Sequence, residues 1–433
     1  MRVHLQALGC RLNEAELETW SRDFREQGYE LADGAEDADL IVVNTCAVTE
    51  ESVKKSRKLV RRAHRDNPTA KLVMSGCYAS LSPEAAAADL GVDLVVPNPD
   101  KDRLVEIAQK ALELPTMPAI ATEPGENALL KRGRQRAFIK VQDGCRYRCT
   151  FCIVTTARGE ERSRSIDEVI EEINKVHAEG INEVVLAGVH LGGYGSDIDS
   201  NLFSLVKAVL ERTEMPRIRL GSLEPWDLPE GFWALFKNPR LMPHLHLPLQ
   251  SGADSVLRRM ARRCKTGEYQ ELLQQARNEV ADFNVTTDII VGFPGETEEE
   301  WQTSMAYVEQ QDFGHIHIFA YSPREGTKAA RLDGHLSREI KRERSQQLHD
   351  MAAASKRKIM QQFVGREFEI LVEGKPQIDE EGKLRYYGYT PNFLRIAITG
   401  EEQDDLNNKL IIAETLSVSD DGEALIARRV RTL

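Results

Sequence analysis

The sequence predicts an α/β protein: an N-terminal parallel α/β domain, a central partial (β/α)6 barrel and a small antiparallel β-barrel at the C-terminus. Three observations carry that expectation. Short apolar, β-rich runs alternate with amphipathic helical stretches through the first two regions, the rhythm of parallel sheets covered by helices. A stretch punctuated by Pro and Gly, without periodicity, separates them. Beyond Gly365 the helical texture stops and short strand runs follow one another closely. The predicted units are 1–115, a linker at 116–136, 137–364 and 365–433.

In the first unit, VHLQAL (3–8), DLIVVN (39–44), KLVMS (71–75) and VDLVVP (92–97) read as strands. Helical patterns at 13–27, 48–66, 82–89 and 100–113 follow them in turn. The linker ends in a basic patch, KRGRQR (131–136). The central unit offers FIKVQD (138–143), EVVLAG (183–188), RIRLGS (217–222), LHLPL (245–249), VTTDIIVG (285–292) and HIHIF (315–319). Helical patterns at about 165–179, 201–213, 268–281 and 297–311 separate most of them. Six strand units argue for an open barrel rather than a closed one of eight. A long charged helix pattern at 337–362 ends this body. EFEILVEG, LRYYGYT, LRIAIT, KLIIAETLSV and GEALIARRV then supply the strands of the last unit.

The 433 residues suffice to bury cores without disulfides. With 41% hydrophobic and 29% charged residues, wholesale disorder and collagen-like composition are excluded. Lys plus Arg (57) against Asp plus Glu (69) gives a formal charge of −12, so a nucleic-acid partner must be met by a local patch. The N-terminal residues lack the apolar run of a signal peptide, and no stretch is apolar enough to span a membrane. A cytoplasmic location and no membrane partner are expected. Seven cysteines spread over a long chain point to metal or redox chemistry rather than a disulfide framework.

VQDGCRYRCTFCIV places Cys145, Cys149 and Cys152 in the spacing CxxxCxxC just after the first strand of the central unit. Incidental core thiols and a zinc site are the alternatives, and zinc would ordinarily take a fourth His or Cys nearby. Three thiolates on one loop can hold three irons of a [4Fe-4S] cube and leave the fourth open. A thiolate-ligated cube also reaches the low potentials that one-electron cleavage of a sulfonium demands, which amino acid side chains do not. Here the sequence resembles the radical S-adenosylmethionine superfamily. The resemblance implies a radical-SAM barrel whose open iron chelates S-adenosyl-L-methionine.

LAGVHLG around Gly188, LGSLEP with Glu224, LPLQSG with Gln250 and TDIIVGFPGE with Asp288 fall at or beyond strand C-termini, the face on which such barrels carry chemistry. These four are candidate contacts to the cofactor or substrate, or else satisfied polar groups at the barrel end. In RGEERSRS, one of Arg158, Arg162 and Arg164 is a candidate partner for the methionine carboxylate; a solvated charge run is the alternative. Phe151 and Tyr147 either shield the cube or pack the loop.

Cys10, Cys46 and Cys77 each close a strand candidate, in QALGC, VVNTC and VMSGC. Neighbouring parallel strands lie about 4.8 Å apart and gather ligands beyond their carboxyl ends, so these thiols are candidates for a second set. Gly9 and Gly76 let the chain bend tightly there. Asn13 and Asn44 read as loop-shaping donors or as caps. Coincident core cysteines are the alternative.

LGCRLNEAELE, VNTCAVTEESVKKSRKLVRR and SGCY resemble the N-terminal domain of radical S-adenosylmethionine methylthiotransferases. The likeness spans the whole chain and includes a C-terminal TRAM-like, RNA-binding barrel. It implies two [4Fe-4S] clusters, an auxiliary one on Cys10, Cys46 and Cys77 and the radical one on Cys145, Cys149 and Cys152. It also implies two molecules of S-adenosyl-L-methionine with different fates: one methylates sulfur, the other yields the radical that removes hydrogen from adenine C2. The opening and TCAVTEE are most similar to the branch acting on N6-threonylcarbamoyladenosine at position 37 of tRNA. The implied partners are the tRNA anticodon loop and a low-potential electron donor such as flavodoxin or ferredoxin. Alternatives are the same chemistry on N6-isopentenyladenosine tRNA or on an aspartate of ribosomal protein S12, and a non-catalytic iron-sulfur RNA-binding or regulatory protein.

For RNA, SVKKSRKLVRRAHR sets Val53, Ser56, Val60 and Ala63 on one helical face and Lys54, Lys58, Arg61 and Arg65 on another. RRMARRCK (258–265) adds a basic patch, and Cys264 within it reads as a non-ligand. The C-terminal unit is acidic, so its RNA contact is expected from Arg385, Tyr386, Tyr387, Tyr389 and Phe393 rather than from bulk charge. Ordinary strand packing explains that alternation as well.

Overall fold

The computed structural model of the chain describes residues 1–115, 135–379, 382–400 and 405–433. Most of the expected linker, and with it residues 131–134 of the basic KRGRQR patch, lies outside the described residues.

The first body runs β1 (Arg2–Ala7), α1 (Arg11–Glu26), β2 (Glu30–Leu31), β3 (Leu40–Thr45), α2 (Glu50–Asp66) and β4 (Lys71–Gly76). It continues through α3 (Cys77–Leu81), α4 (Pro83–Leu90), β5 (Leu94–Val96) and α5 (Leu104–Ala111). All strands join one parallel sheet in the order β2-β1-β3-β4-β5. Helices cover both faces, so central β3, LIVVNT, is buried along its whole length and reads as a continuous apolar run. The edge strand β2 adds a fifth strand to the four expected. Its two residues are too few for any periodicity to register.

The second body comprises β6 (Arg136–Lys140), β7 (Gln142–Asp143), α6 (Val154–Arg158), β8 (Arg162–Ser163), α7 (Ile166–Ala178), β9 (Glu183–Ala187), α8 (Leu202–Arg212) and β10 (Arg217–Leu220). Then come β11 (His244–His246), α9 (Asp254–Arg259), α10 (Thr266–Glu279), β12 (Asn284–Val291), α11 (Glu298–Gln310), β13 (His315–Ala320) and α12 (Arg338–Gln361). Two parallel sheets, β6-β9-β10 and β11-β12-β13, are joined by the bridges Ile218↔Leu241 and Ser222↔His246. Together they form the open six-stranded arc that the sequence predicts. Alternate residues pack an apolar outer layer against the helices, among them Ile139, Val184, Leu186, Ile218, Leu245, Val285 and Ile289. The opposite, inner face carries Arg136, Phe138, Glu183, Arg217, Arg219, His246, Asp288 and His317. Helix α1 lies along the free edge of β6, where the Glu18 carboxylate accepts the backbone N–H of Phe138 at 3.1 Å.

The last body is a closed barrel of β14 (Glu367–Ile378), β15 (Leu384–Tyr389), β16 (Arg395–Thr399), β17 (Leu410–Val418) and β18 (Leu425–Thr432), ordered β14-β15-β16-β18-β17. One neighbouring pair, β16 and β18, is parallel, which amends the all-antiparallel expectation. An odd number of strands cannot close with every neighbour reversed. This barrel sits under the N-terminal ends of the central strands. Arg219 donates to the carbonyls of Thr390 and Pro391 at 2.9 and 2.8 Å, and Asn284 donates to that of Asn392 at 2.8 Å.

At that junction Glu183 bridges Arg217 and Arg219, each at 2.8 Å. Burial alone would raise its carboxyl, but the guanidinium groups of Arg219 and Arg217 hold it at about 2, below its ordinary 4.5. Because the folded value is the depressed one, its contribution is complete above about 5 and is lost as the pH falls from 4.5 toward 2. Urea unfolding midpoints measured across that window should fall for the native chain and slope less steeply for Glu183→Gln.

Candidate active site: two cysteine triads

Strand order explains why Cys10, Cys46 and Cys77 come to one edge of the sheet. They follow β1, β3 and β4, three neighbours whose carboxyl ends open on one edge of the sheet. The bends are tight enough to require glycine. Gly9 has φ +132, and a Cβ there would stand 2.9 Å from the Cys46 Cβ and 3.2 Å from its sulfur. Gly76 has φ +95, and a Cβ would meet the Thr45 carbonyl oxygen at 2.3 Å. Cys46 and Cys77 are buried, whereas Cys10 at the start of α1 is exposed. Burial pushes the Cys46 thiol up, and the neighbouring thiols of Cys77 and Cys10 act in the same direction. Cys10 Sγ donates to Asn13 Oδ1 at 3.6 Å, and Asn98 Nδ2 donates to Cys77 Sγ at 3.8 Å. Ser56, on the inward face of α2, accepts the Cys46 backbone N–H at 3.0 Å.

The second triad follows β7. The backbone N–H of Cys145 donates to the Gly159 carbonyl at 3.1 Å and that of Cys152 to the Cys149 carbonyl at 3.0 Å, closing the loop on itself. Val154 N–H points at Cys152 Sγ at 3.4 Å, and Arg262 Nη1 at Cys149 Sγ at 3.9 Å. Burial pushes the Cys145 thiol to about 12 and the Cys152 thiol to about 11, with Glu224 and the neighbouring thiols adding to both. Such thiols ionise readily only when a metal shares their charge. Glu224 has a buried carboxyl pushed upward by burial, and its Oε2 has no hydrogen-bond partner. A donor set of three thiols beside an unsatisfied polar group fits an iron-sulfur cube and a polar co-ligand.

The other predicted contacts are distributed unevenly. Gln250 holds φ +79, outside the usual range for a residue with a side chain, and its backbone pairs with Asp288 and Ile290 at 2.8 and 2.9 Å. Asp288 Oδ1 lies 3.2 Å from His246 Nε2, with His317 beside it. Gly188 lies against Gln142, whose Oε1 would be 3.0 Å from an added Cβ. Arg164 departs from its expected role. Its guanidinium pairs with Glu172 at 2.5 Å and donates to the Lys140 carbonyl at 3.0 Å, so it is engaged away from the cysteine loop. Arg162 is half-exposed at 3.9 Å from Asp143. Phe151 packs edge-on against Phe293, and Tyr147 donates to Asp227 at 2.9 Å. Cys264 is buried in the outer core of the central body.

Arg158 also departs from expectation, and its actual role links the two triads. It is 3% exposed, and its guanidinium reaches Asn13 Oδ1 at 2.8 Å and Glu16 and Asp143 at 3.0 Å each. Fully buried Lys101 completes the cluster, 2.5 Å from Glu16 and 2.7 Å from Asp143. Burial alone would raise Glu16, but Arg158 and Lys101 hold it at about 2. Asn13 in turn donates to the carbonyls of Leu8 and Thr45, on the loops that carry Cys10 and Cys46. Two cations and two anions therefore join the sheet edge to the cysteine loop. Sequence reasoning missed Glu16, Lys101 and Asp143, since each looks locally like an ordinary surface charge. It also passed over His190, buried between Glu161 and Asp227, with Nε2 2.6 Å from the latter. Burial alone would lower that imidazole, but its two carboxylate partners raise it.

The basic residues of α2, Lys54, Lys58, Arg61 and Arg65, are exposed on one face, while Ser56, Val60 and Ala63 are buried on the other. In the C-terminal barrel Tyr386 is a core residue, which removes it from the expected surface. Arg385 pairs with Asp379 at 2.9 Å, and Tyr387 is half-buried beneath Arg395. Tyr389 stacks on Phe393, which itself stacks on His244, so this aromatic pair packs into the base of the central body. Period-two alternation identifies a face, not what covers it.

Residues 2–97 match the model of the uncharacterized protein family UPF0004, and 139–308 that of the radical SAM superfamily. The chain is 35% identical, over 96% of its length and 93% of the relative's, to a threonylcarbamoyladenosine tRNA methylthiotransferase MtaB of Bacillus subtilis. It is 36% identical to the protein of that name from Thermotoga maritima, over 86% of each chain. A tRNA-2-methylthio-N(6)-dimethylallyladenosine synthase of Methylacidiphilum infernorum is 34% identical over 86% of this chain and 84% of its own. Among solved structures, the radical S-adenosylmethionine methyltransferase TsrM of Kitasatospora setae superposes with a TM-score of 0.56 at 16% identity, covering 76% of this chain and 77% of its own. That likeness speaks for the fold alone. The near full-length identities assign the rest: the chain belongs to the radical S-adenosylmethionine methylthiotransferase family.

Proposed function

We propose that this chain is a tRNA methylthiotransferase that converts N6-threonylcarbamoyladenosine at position 37 to its 2-methylthio derivative. The observation that carries this reading is near full-length identity to relatives bearing that activity in their names. Relatives named for dimethylallyladenosine also match, so the isopentenyl substrate is the second reading.

In this reading Cys145, Cys149 and Cys152 would hold the radical [4Fe-4S] cluster, and Cys10, Cys46 and Cys77 the auxiliary one. When bound, the clusters and S-adenosyl-L-methionine supply one-electron opening of the adenine C2–H bond and the methylated sulfur that takes its place. The chain's own residues position and shield. Arg262 sets positive charge beside Cys149. The unsatisfied Glu224 carboxyl, with Gly188, Gln250 and Asp288 around the barrel mouth, is offered to the cofactor's polar groups. The C2 hydrogen is too weakly acidic for a side-chain base to remove, so no His-carboxylate pair need play that part. Residues 1–115 would form the auxiliary-cluster domain, 137–364 the radical domain and 365–433 a TRAM-like RNA module, with 116–136 linking the first two. The protein would work in the cytoplasm on the anticodon loop, supplied by a low-potential donor such as flavodoxin or ferredoxin. Among the described residues no helix is long and apolar enough to cross a membrane.

Nucleoside mass spectrometry of tRNA from cells lacking the protein tests the substrate. Loss of 2-methylthio-threonylcarbamoyladenosine is expected; loss of the isopentenyl derivative alone would transfer the assignment to the second reading. The exposed face of α2 would meet phosphates. Lys54→Glu, Lys58→Glu and Arg61→Glu combined should weaken tRNA binding about tenfold or more near physiological salt, and flatten the slope of log affinity against log salt by about 2 to 3. An unchanged slope in a filter-binding titration would remove α2 from the interface.

A further inference from the structure

Arg11 directly follows Cys10 and opens α1. Its side chain is exposed, with the guanidinium carbon 5.5 Å from the centre of the Phe138 ring on the inner face of β6. Because Phe138 faces the lumen, the guanidinium over its ring lies on that side as well, toward the histidines of β11 and β13. Among the described residues it has no hydrogen bond and no ion pair. The Arg136 guanidinium opposes its charge, and the carboxylates that act on it, Glu183 and Glu373, are both taken. Glu183 is held by Arg217 and Arg219 at 2.8 Å each, and Glu373 by Arg136 at 2.7 Å. Asp288 on the facing wall lies 3.2 Å from His246 Nε2. A cation in the first turn of a helix is also opposed by the helix dipole. Arg11 is therefore an uncompensated guanidinium held over an aromatic ring, in a cleft, next to a cysteine of the auxiliary triad.

We propose that Arg11 is a specificity-determining residue that pairs with the carboxylate of the threonylcarbamoyl group. This deepens the proposed function and rests on it. Adenine C2 and C6 flank the same ring nitrogen, N1, so a base whose C2 faces the auxiliary triad carries its N6 substituent about one side-chain length away. The threonylcarbamoyl substituent ends in a carboxylate, to which a guanidinium bonds through two parallel N–H donors. The isopentenyl substituent is wholly apolar and would leave Arg11 desolvated and unpaired. The same residue therefore attracts one substrate and repels the other.

The test compares two anticodon stem-loop RNAs that differ only at the modified adenosine, one carrying the threonylcarbamoyl acid and the other its methyl ester. Fluorescence anisotropy gives their affinities for the reconstituted full-length chain. The native protein should bind the acid at least tenfold more tightly than the ester. Arg11→Gln should bind both equally, by losing affinity for the acid alone, and Arg11→Lys should recover part of the preference. A native protein indifferent to esterification, an Arg11→Gln variant that keeps the full preference, or equal weakening of both RNAs would each overturn the assignment of Arg11. These results leave the substrate reading intact if the native enzyme still forms product on threonylcarbamoyl tRNA. A native enzyme that methylthiolates only isopentenyladenosine tRNA would overturn the substrate reading and this inference together.

Discussion

Replacing Cys149 with Ala is expected to abolish reductive cleavage of S-adenosyl-L-methionine to the background of the reductant alone. Cys149 is the middle thiol of the loop between β7 and α6, and Arg262 reaches it at 3.9 Å. With two thiolates left, a cube would have two irons without protein ligands, and the site that chelates the sulfonium substrate would no longer be unique. The loss should come with full retention of the fold, because the loop is held by backbone bonds from Cys145 to Gly159 and from Thr150 to Met260 that the substitution does not touch. Chromatographic quantitation of 5′-deoxyadenosine under dithionite reads the result; cleavage persisting at the native rate would refute the role given to this loop.

Replacing Arg158 with Met is expected to cost about 3–5 kcal/mol of stability, the penalty for breaking a buried ionic cluster by removing one partner. Arg158 and Glu16 are almost wholly buried, and the substitution leaves Lys101 as the one buried cation for Glu16 and Asp143, with half-exposed Arg162 3.9 Å from Asp143. Asn13 Oδ1 loses its Arg158 donor as well, and with it part of what holds the side chain that bonds the loops of Cys10 and Cys46. Urea unfolding should show the loss, and the auxiliary iron should become more readily removed by a chelator than the radical-loop iron. An Arg158→Met protein as stable as the native one would deny the cluster its structural role. Protonation acts in the same sense: Glu16, held at about 2, contributes fully above its ordinary 4.5 and loses that contribution as the pH falls toward 2.

The fold was legible where periodicity is long and continuous. Parallel strands buried on both faces, such as LIVVNT in β3, declare themselves as apolar runs, and the capped helices as amphipathic ones, α7 with its Ser165–Glu168 capping box among them. Short elements did not register: β2 has two residues and α6 five. The cysteine loop was legible because its spacing is local. Cys10, Cys46 and Cys77 were legible as a group only because each ends a strand, and sheet order then brings those ends together. What sequence reasoning could not reach depends on distant partners. Nothing local marks Lys101 as the buried counter-ion of Glu16, or commits Arg158 to Asn13 and Arg164 to Glu172 rather than to a ligand. Tyr389 and Phe393 were drawn to the surface by composition, yet their rings pack under Arg136 and Arg219 at the base of the central body.

The most direct test of the central claim, that six thiolates form two separate triads, is an iron and sulfide count after anaerobic reconstitution. The native chain should carry about eight irons, and a variant with Cys10, Cys46 and Cys77 all changed to Ala about four, with cleavage of S-adenosyl-L-methionine retained. Equal iron in the two proteins would contradict it.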